Sequence, residues 1–103
     1  MLESQLQIGG AWIDGAGEIL ESTCPVDPGS VIWSGKTASP SQVDAAFAAA
    51  RSAFGPWWDL SVESRIEIAE AYRDNIQASS EELALLIARE TGKPVWESKT
   101  EAG

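Results

Sequence analysis

The chain has 103 residues, a length that suits one domain burying roughly 60–70% of the surface its unfolded form exposes. Seven Lys and Arg against sixteen Asp and Glu leave a formal charge of −9, which argues against a nucleic-acid partner, because phosphate binding needs cations to displace counterions. A single cysteine and no histidine exclude an internal disulfide and a Cys/His zinc site.

No stretch approaches the roughly 18–20 apolar residues of a membrane span. Residues 1–5 lack the basic and apolar regions of a secretory signal. Together these predict a cytoplasmic protein with no membrane partner. The acidity reads as a solvated surface shared among several helices.

In chain order, residues 5–37 carry β signals. Leu6 and Ile8, then Trp12 and Ile13, flank Gly9 and Gly10 as the arms of a tight hairpin do. Gly15 and Gly17 punctuate the chain before Ile19. A second strand pair is expected at residues 19–23 and 31–34, joined by a turn over residues 25–29, where Pro25 presets φ and Gly29 accepts a positive one. This region reads as an antiparallel meander of short strands.

From residue 39 the apolar period changes from two to 3.6. Ser39, Pro40 and Gln42 spell a capping box with proline at the first helical position. Val43, Ala46, Phe47, Ala50 and Phe54 then share a face, and the first helix is expected to end at Gly55 and Pro56. Ser61 can cap a second helix with Val62, Ile66, Ala69, Tyr72 and Ile76 on one side. Ser79 and Glu82 spell another capping box, opening a third helix whose stripe is Leu83, Leu86 and Ile87 and whose stop is Gly92. A fourth starts at Pro94 and runs for about two turns without a C-cap motif, so the sequence reads as cut inside an element. The expected class is α+β, with N-terminal β-hairpins followed by three to four helices.

The residues offer little chemistry of their own. Gly35, Lys36 and Thr37 match the end of a phosphate-binding loop, but Ser30 stands where its first glycine belongs. Gly92 and Lys93 fail likewise, with Ile87 at the first position and Pro94 in place of the magnesium-holding hydroxyl. Cys24 has no histidine to serve as its base and no helix start directly after it to lower its pKa. Glu81 and Glu82 suit a helix N-terminus, and Glu67, Glu70 and Asp74 read as an exposed face. The five tryptophans are scattered and read as core or interdomain packing. The residues therefore supply no catalytic and no cofactor-binding group.

The string Glu90, Thr91, Gly92, Lys93 and Pro94, continued by Val95, Trp96 and Glu97, resembles the Glu-Thr-Gly-Lys-Pro segment near the N-terminus of aldehyde dehydrogenases. Three earlier stretches resemble the same family in the same order. Residues 8–15 are similar to its opening hairpin, residues 24–29 to a turn usually written with Asn where Cys24 stands, and residues 42–54 with Trp57 to its alanine-rich first helix. The departure at Cys24 bears on hydrogen bonding in that turn.

The resemblance implies that residues 1–103 are the N-terminal part of an α/β aldehyde dehydrogenase fold, with 1–38 as a hairpin region and 39–103 as helices flanking the dinucleotide-binding sheet. It implies NAD or NADP in the full-length parent and none for this chain alone. The implied partner is the remainder of the same enzyme, assembled as a homo-oligomer, and the catalytic cysteine belongs to a later glycine-rich segment. It also implies a monovalent-cation site formed by Glu90 and backbone oxygens around Thr23, since hard cations favour oxygen ligands. The wording of residues 87–97 and 31–35 is most similar to members that oxidise a semialdehyde, with succinylglutamate semialdehyde of arginine catabolism as the implied substrate. Another semialdehyde remains open, as does a different class, a free-standing acidic module that binds a protein partner and does no chemistry.

Overall fold

A computed structural model describes the backbone of residues 2–103 and the side chains from Ser4 onward. Five strands precede four helices: β1 (Leu2–Ser4), β2 (Leu6–Ile8), β3 (Ala11–Ile13), β4 (Ile19–Cys24), β5 (Asp27–Lys36), α1 (Pro40–Asp59), α2 (Val62–Ala78), α3 (Ser80–Thr91) and α4 (Val95–Ala102). The α+β class stands. Among the described residues no helix is long and apolar enough to cross a membrane.

The first hairpin forms where its glycines predict it. β2 and β3 pair antiparallel, Leu6 opposite Ile13 and Ile8 opposite Ala11, around Gly9 at φ 59° and Gly10 at φ 83°. Two successive positive φ values are what a type I′ turn demands, and glycine meets them without a Cβ penalty.

The expected continuous meander does not occur. β4 and β5 join a separate three-stranded sheet in the order β1, β5, β4, with β1 parallel to β5 and Ser4 opposite Gly35. A three-residue strand shows too little alternation to register as a strand, and its pairing is decided by the free edge of a distant one. The turn between β4 and β5 also closes earlier than expected. It occupies Pro25 and Val26, and β5 begins at Asp27, with Pro28 at its exposed start, where a missing amide is tolerated.

The chain forms two compact units. One comprises the residues up to Ser22 with Trp33–Leu60, and the other comprises Thr23–Ile32 with Ser61–Gly103, so the β4–β5 hairpin gives its base to the first and its tip to the second.

In the first unit Ser39 caps α1 as its box predicts, accepting from the Gln42 amide at 3.3 Å. Gln42 does more than the local motif announces. Its Oε1 accepts from the Ser39 amide at 3.0 Å and the Ala16 amide at 2.9 Å, while Nε2 donates to the Asp14 carbonyl at 2.8 Å. One amide side chain thus ties the start of α1 to the loop after β3. Truncation at Gln42→Ala is expected to lower stability by about 1–2 kcal/mol, more than Ser39→Ala, because it removes three side-chain hydrogen bonds to the backbone where the serine variant removes one. Urea unfolding of the two variants checks the order.

α1 does not end at Gly55 and Pro56; it continues through Pro56 to Asp59. A proline clashes with the Cβ of the residue before it, and Gly55 has none. Beyond the proline, Phe54 and Trp58 stack one turn apart with ring centroids 6.0 Å apart. The alanine side of α1 faces β2–β3 across a groove of about 400 Å³ that includes Ile8, Gly9, Ala46 and Ala49.

In the second unit Ser61 caps α2, its hydroxyl accepting from Ser64 at 3.1 Å. Ser79 does not form the expected box. It also ends α2, its backbone at φ −102° and ψ 8° lies outside the extended cap geometry, and its side chain makes no cap hydrogen bond. α3 packs against both α2 and α4, and Ala84, Ser98 and Ala102 are buried, small residues of the kind that let helix backbones approach closely.

Neither α1 nor α2 contains a buried residue. Of the core or interdomain packing expected for the tryptophans, a core place is not observed for most of them: Trp12 and Trp58 are 65% exposed, Trp96 is 73% exposed, and Trp33 is half-buried.

Candidate functional site

The second unit brings the tip of the β4–β5 hairpin to the end of α3. Gly92, at φ 74° and ψ 8°, adopts the left-handed conformation that closes α3, and its amide donates to the Ala88 carbonyl at 2.9 Å. An ideal Cβ on Gly92 would sit 3.7 Å from Cβ and Cγ of Pro25. Thr23 lies two residues before that proline and Glu90 two before that glycine, so the two segments named by the resemblance meet here. Thr23 is exposed and Glu90 half-buried.

The end of α3 carries charge of both signs, with Arg89 and Glu90 in its last turn and Lys93 just beyond it. The C-terminal end of a helix carries partial negative charge from its last carbonyls, and Glu90 adds a carboxylate in the final turn. Among the described residues no group of three or more His, Cys, Asp or Glu gathers into a metal site, so a ligand set here would draw on backbone oxygens. Thr91 fixes the exit of the helix: its hydroxyl donates to the Ile87 carbonyl at 2.7 Å and accepts from the Lys93 amide at 3.3 Å.

Lys93 is part of this terminator and reaches forward to an ion pair with Glu101 of α4. That hydrogen bond, then the Glu101 charge, holds the ammonium pKa above its usual value, with Glu97 adding to the rise and burial opposing it. Its contacts are those of a helix-pair clasp. Gly35 and Lys36 form no pliable phosphate loop either: both lie in β5, and a Cβ on Gly35 would collide with the Ser4 hydroxyl.

Cys24 is half-buried at the end of β4 as a free thiol. Glu81 and Glu82 occupy the first turn of α3, and Glu70 and Asp74 pair with Arg73 on an exposed side of α2. In the first unit a cleft of about 350 Å³ is lined by Ser4, Asp14, Ile19, Ser34 and Lys36, with the Asp14 carboxylate accepting from Gln5 Nε2 at 2.7 Å. The Gln42 tie was not expected from sequence; its partners lie 26 and 28 residues away, beyond any local motif.

The sequence model of the aldehyde dehydrogenase family matches residues 12–103. Among solved structures, the NAD-dependent aldehyde dehydrogenase of Sinorhizobium meliloti is 35% identical and superimposes with a TM-score of 0.92, covering 99% of this chain and 21% of its own. An aldehyde dehydrogenase of Brucella melitensis biovar abortus is 32% identical at a TM-score of 0.90, covering 96% of this chain and 20% of its own. An NAD-dependent benzaldehyde dehydrogenase of Corynebacterium glutamicum is 29% identical at 0.89, covering 96% and 22%. The chain therefore spans about a fifth of the length of these solved relatives.

Proposed function

Because this chain belongs to the aldehyde dehydrogenase family, we propose that it forms the N-terminal part of an NAD(P)-dependent enzyme that oxidises a semialdehyde to a carboxylic acid. The observation that carries the NAD(P)-dependent aldehyde dehydrogenase part of this reading, though not the semialdehyde, is the match over nearly the whole chain to NAD-dependent relatives at a TM-score near 0.9. In such an enzyme the nicotinamide accepts a hydride. Neither Gly-Lys pair offers a phosphate loop to that cofactor: one lies in a strand and the other in a helix terminator. The contribution of the described residues is scaffold.

That scaffold has two faces to offer. On α1, Val43, Phe47, Phe54 and Trp58 form an exposed apolar stripe beside the alanine side that faces the hairpin. On α2, Val62, Ile66, Tyr72 and Ile76 form another. Helices without a buried residue draw little stability from their own propensity, so each stripe needs cover. In this reading each flanks the dinucleotide-binding sheet of a cytoplasmic homo-oligomer, with residues 1–38 as the hairpin region.

The proposed substrate is succinylglutamate semialdehyde of arginine catabolism, supported by the wording of residues 87–97 and 31–35. Steady-state assays of the intact polypeptide with a panel of aldehydes test it. The expected result is the highest kcat/KM for that semialdehyde, and a higher value for a different semialdehyde moves the substrate assignment alone. Residues 1–103 by themselves are expected to reduce no NAD or NADP with any aldehyde; reduction above a Cys24→Ser control would sink the scaffold reading.

Glu90 and backbone oxygens around Thr23 are proposed to hold a monovalent cation, supported by the approach of Pro25 to Gly92 and the partial negative charge of the α3 carbonyl end. Replacing choline with potassium or sodium at constant ionic strength is expected to raise the melting temperature of the intact protein. Glu90→Gln should remove that response. An equal response in both proteins would overturn the site.

A further inference from the structure

We draw no further inference here: the strongest candidate, the exposed apolar stripe Val43, Phe47, Phe54 and Trp58 on α1, belongs to the scaffold face already proposed, and nothing in the structure shows any other occupant covering it.

Discussion

Gly15→Ala is expected to be the most damaging single-methyl addition in this chain. Gly15 is buried after β3, and an ideal Cβ there would overlap the Lys36 carbonyl oxygen and lie 2.6 Å from both the Lys36 carbonyl carbon and the Thr37 oxygen. These are backbone atoms, so no side chain can rotate away. They are also pinned, because Thr37 accepts from the Gly17 amide at 2.7 Å and donates to the Glu18 carbonyl at 2.8 Å. Relief requires moving the end of β5 against those bonds. Overpacking of a well-filled site costs about 1–3 kcal/mol, and a backbone collision belongs at or above the top of that range. Gly29→Ala is the control: its Cβ would meet only the Asp27 carboxylate, at 3.7 Å, and little change is expected. Urea midpoints and soluble yield of the two variants of the intact protein make the comparison. Equal behaviour would mean that the loop after β3 yields freely.

The contrast between Gly15 and the helices shows what kind of information the sequence carries openly. α2 and α3 could be read from apolar spacing, and the hairpin at Gly9 from its paired glycines, because each rests on neighbours within a few residues. Gly15 reads only as punctuation. The reason for glycine there is a strand end more than 20 residues later, which no local pattern contains. β1 is hidden for the same reason: three residues have no period, and their parallel partner is β5. Pro56 misleads in the opposite direction, since a rule about proline is weakened when the preceding residue is glycine. Ser79 has the letters of a capping box but is shared between two helices, and ending α2 takes its backbone out of cap geometry. The candidate cation site was legible only through resemblance. No spacing rule links Thr23 to Glu90, and what the fold adds is the approach of Pro25 to Gly92.

At Gly92 the expected damage comes from conformation. Its Cβ contact with Pro25 would be of ordinary van der Waals length, so space alone permits alanine. The φ of 74° does not, since an L-residue there costs about 1–2 kcal/mol, and β-branching restricts the side chain further. Asparagine tolerates this region better than other residues with a Cβ. Stability is therefore expected to fall in the order Gly92, Gly92→Asn, Gly92→Ala, Gly92→Val, with the valine variant also losing soluble yield as the path from α3 into α4 is misdirected. Lys93→Ala is expected to do less: it removes a partly exposed ion pair with Glu101 and, under the proposed function, leaves the affinity of the intact protein for nicotinamide cofactor nearly unchanged. Thermal melts and cofactor titration on the whole series separate the two residues. A Lys93→Ala enzyme that folds normally but no longer binds cofactor would make this segment a phosphate contact, and a valine variant as stable as the asparagine one would remove the left-handed conformation as the reason for glycine.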